Sequence, residues 1–192
     1  MAAKPKILII DDEEIVRDSC IHILAKSNYE IATAENGMDG LALLKEFQPD
    51  LALVDLKMPG ISGFEVLDRI HAYDPTIVAI VITGFATVDS AVEAMKKGTY
   101  DFLPKPFSPD ELRMLVQRGL GRRKLVLETI VLRKEKELLR EHFAAIVSHE
   151  LKSPLGAVQQ NLFVLADDLA EKMTEEQKEK FSRLQGRIGD LV

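Results

Sequence analysis

Two segments of the chain contain side chains that can accept a phosphoryl group. Asp55 lies in the segment LALVDLKMPG, and His149 lies in the segment FAAIVSHELKSPLGAV. A carboxylate and a neutral imidazole are both nucleophiles that can form a covalent phosphoryl intermediate. The presence of both in one chain of 192 residues favours a role in signalling over a role in metabolism.

Polar side chains also stand at the ends of the predicted strands. Asp11 and Asp12 end the first strand, Asp55 ends the third, Thr83 ends the fourth, and Lys105 follows the fifth. Ligands of open α/β sheets bind outside the carboxyl ends of the strands, so the fold itself would bring these side chains together. The pattern predicts a single polar site at one edge of a sheet.

Three carboxylates in one crevice repel one another and take up protons unless a cation neutralises them. Magnesium (Mg2+) fits such a site because it prefers oxygen ligands and can also bind a phosphoryl oxygen. We therefore expect Mg2+ as the cofactor and Asp55 as the nucleophile. Phosphoryl transfer to a carboxylate depends mainly on positioning and charge stabilisation, which the metal and the ammonium of Lys105 would supply.

Short apolar segments alternate with amphipathic segments over residues 6–120, which predicts five βα units. The predicted strands are Ile7–Ile10, Ile31–Ala34, Leu51–Val54, Ile77–Ile82 and Tyr100–Leu103. Continuous apolar segments suit central parallel strands, whereas the polar residues near the second strand suit an edge. The expected fold class is α/β, with a doubly wound five-stranded parallel sheet.

Four segments resemble the receiver domains of response regulators: ILIIDDEE, LALVDLKMPG, VITGFAT and YDFLPKPF. The resemblance implies a flavodoxin-like sheet of strand order 2-1-3-4-5. It implies that Asp55 accepts the phosphoryl group, and that Asp11, Asp12 and the backbone carbonyl of Lys57 join it around Mg2+. It also implies an upstream histidine kinase or phosphotransfer protein as a partner.

The same resemblance implies a conformational switch. Thr83 would bind the phosphoryl group and move toward it while the ring of Phe102 turns inward, which remodels the fourth helix and the fifth strand. Many family members have Tyr where this chain has Phe102, so only the packing role of that ring carries over. The resemblance further implies a cis bond between Lys105 and Pro106.

A long helical segment is predicted after the last strand. Ser108 and Glu111 form a capping-box pattern, with Pro109 at the first helical position. A heptad-like seam follows, formed by Leu125, Thr129, Leu132, Lys136, Leu139, Phe143 and Ile146. The seam predicts a short two-stranded coiled coil and therefore a homodimer. We expect a receiver domain at residues 1–120 and a coiled-coil linker at residues 121–142.

The segment SHELKSPL resembles the phosphoacceptor box of sensor histidine kinases. The resemblance implies that residues 143–192 form a truncated dimerisation and histidine-phosphotransfer hairpin, which pairs into a four-helix bundle with His149 on its outer face. Glu150 would take or orient the ring proton of His149. The chain would then be a fragment of a hybrid sensor histidine kinase whose receiver regulates a dimeric kinase core. ATP is expected only on a catalytic domain beyond the last residue, so this fragment is not expected to be active alone.

Two other hypotheses are weighed against that one. In the first, the chain is a non-catalytic phosphorelay intermediate, in which Asp55 and His149 pass phosphoryl groups between partners such as a downstream response regulator. In the second, the chain is a DNA-binding regulator with a helical output, which the lack of a recognisable recognition module disfavours.

Composition narrows the expected partners and location. The formal charge of −6 at pH 7 argues against a nucleic-acid partner, because phosphate backbones are bound mainly by clustered Lys and Arg. The single cysteine, Cys20, cannot form an internal disulfide and lies among apolar residues, which suits a buried thiol. No segment reaches the roughly 20 apolar residues that cross a bilayer, so we expect no membrane partner for this fragment and a cytoplasmic location.

Overall fold

The computed structural model describes residues 4–84, 87–169 and 172–189, apart from the side chains of Ser90, Ser148, His149 and Asp168. The elements are β1 (Lys6–Ile10), α1 (Glu14–Leu24), β2 (Glu30–Ala34), α2 (Gly37–Phe47), β3 (Leu51–Val54), α3 (Gly63–Tyr73), β4 (Val78–Thr83), α4 (Val88–Lys96), β5 (Asp101–Pro104), α5 (Pro109–Leu169) and α6 (Glu175–Gly189). The chain divides into two units, Met1–Ile130 and Val131–Val192, and each is described by itself.

The five strands of the first unit form one parallel sheet of order β2-β1-β3-β4-β5. The predicted α/β class and the flavodoxin-like strand order are therefore confirmed. β3 and β4 are buried along their whole length, as expected of central strands covered on both faces, whereas β2 lies at an edge and is partly exposed. A helix joins each strand to the next, because parallel neighbours need a crossover connection. The carboxyl ends of all five strands consequently lie at the same edge.

Side chains alternate between the two faces of the sheet and build two apolar layers. In β1, Leu8 and Ile10 pack on the side of α2, α3 and α4, whereas Ile7 and Ile9 pack on the side of α1 and α5. Cys20 of α1 belongs to the second layer and is buried, as predicted. Burial raises the pKa of its thiol to about 12, so the group stays protonated and acts as a packing side chain.

The capping box expected at Ser108 is present, and a second capping box precedes α6. The N–H of Ser108 donates to Oε2 of Glu111 at 2.7 Å, and the N–H of Glu111 donates to Oγ of Ser108 at 3.3 Å, which begins α5. The N–H of Thr174 donates to Oε1 of Gln177 at 2.9 Å before α6. Each box satisfies two backbone donors that would otherwise lack an intrahelical partner.

The second unit is helical and contains the last part of α5 and all of α6. Within its described residues, no side chain is buried. Many of its large apolar side chains are exposed, among them Leu132, Leu139, Phe143 and Phe163. Exposed apolar side chains grouped in this way are typical of an interaction surface. The predicted four-helix bundle is not confirmed, and the predicted domains at residues 1–120, 121–142 and 143–192 stay predictions.

Across the described ranges, none of the helices combines the length and apolar character needed to cross a membrane.

Candidate functional site

Backbone hydrogen bonds fix the polar residues at the carboxyl edge of the sheet. The N–H of Asp55 donates to the carbonyl of Ile10 at 2.9 Å, and the N–H of Lys105 donates to the carbonyl of Thr83 at 2.9 Å. These bonds continue two strand ladders by one residue beyond β3 and β5. The bond between Lys105 and Pro106 is cis, as the resemblance implied. Residues that are far apart in the sequence are thereby held side by side.

Three acidic side chains meet at this edge. One carboxylate oxygen from each of Asp11, Asp12 and Asp55 lies within 4.8 Å of the other two. Asp11 and Asp55 are buried, whereas Asp12 is exposed. The sheet therefore brings together the three carboxylates that the sequence analysis placed at strand ends.

The ammonium of Lys105 lies among these carboxylates. Its Nζ is 2.8 Å from Oδ2 of Asp11, 2.9 Å from Oε1 of Glu13 and 3.7 Å from Oδ1 of Asp55. Burial alone would lower the pKa of Lys105, but the hydrogen bonds to Asp11 and Glu13 raise it above its ordinary value. Lys105 therefore keeps its positive charge inside the site.

Asp11 connects several parts of the site. Its Oδ1 accepts the N–H of Glu13 at 3.0 Å, and its backbone carbonyl accepts Nη1 of Arg17 at 2.7 Å. Burial raises the pKa of the Asp11 carboxyl, and the hydrogen bond from Lys105 offsets this only in part. The one ammonium thus leaves some of the buried negative charge uncompensated.

This chemistry fits a small divalent cation. Mg2+ prefers carboxylate and carbonyl oxygens, and its charge would supply the compensation that Lys105 does not provide. Asp11, Asp12 and Asp55 are the residues that could hold it. The carbonyl of Lys57 stays a predicted fourth ligand. Its N–H donates to Oδ2 of Asp55 at 3.0 Å, which fixes the orientation of that carboxylate.

Two further residues of the predicted switch lie near this edge. Thr83 is the last residue of β4 and is buried. Phe102 lies in β5, is partly buried, and packs against the apolar layer on the side of α2, α3 and α4. Their predicted movements stay predictions.

Comparison with known proteins identifies the family. The response regulator receiver domain family matches residues 7–117, which is more than half of the chain. The chain belongs to this family. A solved receiver domain protein from Methanospirillum hungatei JF-1 is similar with a TM-score of 0.61 and 30% identity, over 64% of this chain and 98% of that chain. The first unit is therefore a receiver of two-component phosphorelay signalling, and its acidic pocket is the place where receivers bind Mg2+.

Curated relatives of the receiver are regulatory proteins. Regulatory protein AtoC from Escherichia coli is 38% identical over 120 residues, which are 62% of this chain and 26% of that protein. The C4-dicarboxylate transport transcriptional regulatory protein DctD from Pseudomonas aeruginosa is 34% identical over 179 residues, which are 88% of this chain and 38% of that protein. The DNA-binding transcriptional regulator NtrC from Salmonella typhimurium is 36% identical over 113 residues, 59% of this chain and 24% of that protein. The chain thus spans about two fifths or less of the length of these relatives.

These findings overturn one major prediction. The chain is not shown to be a fragment of a hybrid sensor histidine kinase, and the expectation of a histidine-phosphotransfer domain is wrong, because the relatives are transcriptional regulators and the similarity to DctD covers 88% of the chain. The assignment of the chain to the sensor histidine kinases is wrong for the same reason, and the expectation of an ATP-binding catalytic domain is not supported. The physical reason is that a short segment around a histidine on an exposed helix puts few constraints on the fold. Its resemblance to a phosphoacceptor box is therefore weak evidence for the class of protein.

The predicted roles of His149 and Glu150 depended on that identity and stay untested. Both residues lie within α5, and Glu150 is exposed. The side chain of His149 lies outside the described residues. The relay hypothesis, which needs a phosphoryl group on His149, therefore also stays a prediction.

The expectation of no nucleic-acid partner is not supported either. NtrC is named as a DNA-binding regulator, although this chain spans only 24% of its length. A net charge of −6 describes the receiver and its helices, and it says nothing about a DNA-binding domain outside them.

Sequence reasoning missed two residues of the site. Glu13 was quoted within ILIIDDEE but was given no role, although it pairs with Lys105. Arg17, one turn into α1, supports the backbone of Asp11. A third acidic residue directly after the Asp pair was the available signal for Glu13. The contact of Arg17 left no comparable signal in the sequence.

Proposed function

We propose that this chain is the receiver part of a two-component response regulator, in which phosphorylation of Asp55 controls how the following helices pair. The observation that carries the proposal is the cluster of three carboxylates around the ammonium of Lys105, at the carboxyl edge of a receiver sheet. An upstream kinase is the expected phosphodonor.

The chemistry assigned to the site is phosphoryl transfer. A carboxylate oxygen of Asp55 attacks the phosphorus of the donor and forms a new P–O bond. The bond between phosphorus and the donor's leaving atom breaks, and the leaving group keeps the electron pair and takes up a proton. Bound Mg2+ supplies charge compensation for the phosphoryl oxygens. Lys57 orients the nucleophile through its N–H, and Lys105 supplies the positive charge that the protein itself contributes.

Thr83 is the proposed sensor of the phosphoryl group. Its position at the end of β4, next to the strand that leads into Asp55, supports this role. The ring of Phe102 in the neighbouring strand β5 would follow the movement of Thr83 by repacking. A buried hydroxyl and a packed ring have few alternative arrangements, so this region suits a two-state change.

The proposed output is a change in pairing of α5 and α6 with a second copy of the chain. In its support, the described part of the second unit has no buried side chain, and the seam residues Leu132, Leu139 and Phe143 are exposed. The predicted linker at residues 121–142 and hairpin at residues 143–192 would bury this surface in a dimer. Because the relative NtrC is named as a DNA-binding regulator, we propose a DNA-binding element as the output that this pairing would control.

A labelling experiment tests the phosphoacceptor. We expect the chain to gain one phosphoryl group when incubated with acetyl phosphate and Mg2+, as measured by intact mass. Asp55→Asn should remove the gain, whereas Asp18→Asn, a change of equal charge on the exposed face of α1, should not. A mass gain that persists in Asp55→Asn would place the phosphoacceptor elsewhere.

A second experiment tests the output. Cysteine substituted at Leu132, near the middle of the seam, reports pairing by disulfide cross-linking, and Cys20 does not interfere because it is buried. Addition of beryllofluoride and Mg2+ should change the cross-linking rate in the native chain and should not change it in Asp55→Asn. Equal rates with and without beryllofluoride would count against coupling between Asp55 and the helices.

A further inference from the structure

The ammonium of Lys105 lies at unequal distances from its three acidic neighbours. Its distances to Asp11 and Glu13, 2.8 and 2.9 Å, are those of charge-assisted hydrogen bonds. Its distance to Asp55, 3.7 Å, is too long for a hydrogen bond. Two of its three donors therefore point to the first strand and the start of α1, and the nucleophile has only the weaker contact.

The backbone of Glu13 is fixed so that its side chain reaches Lys105. Its N–H donates to Oδ1 of Asp11 at 3.0 Å, while the Nζ of Lys105 contacts Oδ2 of the same carboxylate. Asp11 thus holds both Glu13 and Lys105, which form an ion pair with each other. Arg17 strengthens this arrangement through its bond to the carbonyl of Asp11 at 2.7 Å.

The side chain of Glu13 is not occupied by helix capping. Glu13 stands at the N-cap position of α1, where a side chain commonly accepts a backbone N–H of the first turn. Here no such side-chain bond is made, and the carboxylate accepts Nζ of Lys105 instead. The local structure therefore leaves this carboxylate available for the site.

We propose that Glu13 is a positioning residue that holds Lys105 toward α1 in the unphosphorylated receiver and thereby slows phosphoryl transfer to Asp55. The inference rests on the proposed role of Asp55. The side chain of Glu13 is 62% exposed, whereas that of Asp11 is 3% exposed, so Glu13 is the partner that water can replace at low cost. When a phosphoryl group arrives, Lys105 turns a donor toward it by releasing Glu13 and keeping Asp11.

The test compares phosphorylation rates at saturating acetyl phosphate and Mg2+. Glu13→Gln should raise the maximal rate roughly three- to fivefold, the range that an ion pair with one exposed partner supports. Glu14→Gln is the matched control, because it removes the same charge from the next residue, which is exposed. It should leave the rate near that of the native chain.

Two further variants separate contact from general charge. Glu13→Asp keeps the charge but shortens the side chain by one methylene, so it should lose Lys105 and resemble Glu13→Gln. In a Lys105→Met background, where no ammonium remains to be held, Glu13→Gln should have no further effect. A double-mutant comparison of this kind measures the coupling between the two side chains directly.

Four results overturn the inference. They are an unchanged maximal rate in Glu13→Gln, an equal acceleration in Glu14→Gln, a rate in Glu13→Asp that stays as slow as that of the native chain, and an effect of Glu13→Gln that persists without Lys105. Failure of the proposed function looks different, because the native chain would then take up no phosphoryl group on Asp55 at all.

Discussion

At the residue scale, Gly63 determines how close α3 can lie to the phosphoacceptor. A Cβ at this position would overlap the carbonyl oxygen of Asp55 and would lie 2.6 Å from Cα of Leu56. Both are backbone atoms directly after β3, and they cannot move aside as a flexible side chain could. The N–H of Gly63 also donates to the carbonyl of Leu56 at 3.1 Å, which keeps the two segments in contact.

Gly63→Ala should therefore displace the backbone that carries Asp55. We expect a loss of about 2 to 3 kcal/mol in the free energy of unfolding, from overpacking against fixed atoms, together with slower phosphorylation of Asp55. Urea unfolding and intact-mass labelling measure the two effects. Gly121→Ala is the control, because nothing lies within 4 Å of its added Cβ. A Gly63→Ala chain with native stability and native labelling would contradict the argument.

The main residues of the site could be placed from the sequence because their positions follow from strand ends. Asp11, Asp55 and Lys105 each come directly after an apolar strand, and the parallel sheet brings such positions to one edge. The pair between Glu13 and Lys105 could not be predicted in the same way. It joins residues 92 positions apart and depends on side-chain conformations that no periodic pattern encodes.

At the element scale, α5 lies close against the sheet at Gly119. A Cβ at Gly119 would lie 2.8 Å from Cδ1 of Leu51 and 3.1 Å from Cγ1 of Val78. Both side chains belong to the buried layer under α5, so they have little room to move. Gly121, two residues later on the same helix, faces open space.

The two glycines should respond to alanine in opposite ways. Gly121→Ala should stabilise the chain by about 0.5 to 1 kcal/mol, because alanine loses less backbone entropy in a helix. Gly119→Ala gains the same helix preference but pushes α5 away from β3 and β4, with an overpacking cost of about 1 to 3 kcal/mol. Urea unfolding at one fixed protein concentration should therefore rank Gly121→Ala above Gly119→Ala. The reverse ranking would mean that Leu51 and Val78 adjust freely.

Arg123 ties α5 to the edge of the sheet opposite the phosphoacceptor. Its Nε lies 3.0 Å from Oδ1 of Asp50, and its Nη2 lies 3.6 Å from Oδ2 of Asp74. The Nε–H is not directed at an oxygen as a hydrogen bond requires, so these contacts are ion pairs by distance alone. Burial alone would raise the pKa of Asp74, but hydrogen bonds from Thr76 and the charge of Arg123 hold it below its ordinary value of 3.8.

The lowered pKa gives a pH-dependent prediction. Because the fold favours the charged form of Asp74, its contribution is fully present above pH 3.8 and is lost as the pH falls through the lower folded value. Asp74→Asn should cost about 1 kcal/mol at neutral pH, mainly through weaker hydrogen bonds and the lost ion pair. The difference in the free energy of unfolding between Asp74→Asn and the native chain should shrink below pH 3.8.

Urea unfolding from pH 7 to pH 3 measures this difference, with Asp18→Asn as the control of equal charge. A difference that is constant over this range would exclude a contribution from ionised Asp74.

The strands were predictable because burial on both faces leaves a simple apolar pattern. The predicted Leu51–Val54 matches β3, and the predicted Ile31–Ala34 differs from β2 by one residue. The end of α5 was harder to locate, because neither a glycine cap nor a helix-breaking position marks it clearly. Pro154 lies inside α5, and the helix continues to Leu169. A proline removes one backbone donor, which a long helix can tolerate at an exposed position.

At the scale of the whole molecule, the sequence separates into a part that specifies its own core and a part that does not. The receiver buries two apolar layers within a single chain. The described part of the second unit buries none of its side chains, so its sequence does not specify a core within that part. This difference explains why the receiver was identified correctly, whereas the segment around His149 was assigned to the wrong class of protein. An amphipathic helix serves many kinds of partner, and its pattern alone does not choose among them.

The exposed seam gives a prediction for the assembled protein. Leu132 is 64% exposed and lies on the predicted seam, whereas Lys134 lies two residues later on the face that the heptad pattern turns outward. Leu132→Asp would place a carboxylate inside the paired interface, so it should weaken the dimer on the order of a hundredfold or more. Lys134→Asp introduces the same residue outside the seam and should leave the dimer intact.

Sedimentation velocity over a range of protein concentrations measures dimerisation of both variants. Both variants should still take up a phosphoryl group on Asp55, because the receiver has its own core. A Leu132→Asp chain that dimerises like Lys134→Asp would show that the copies pair through another surface.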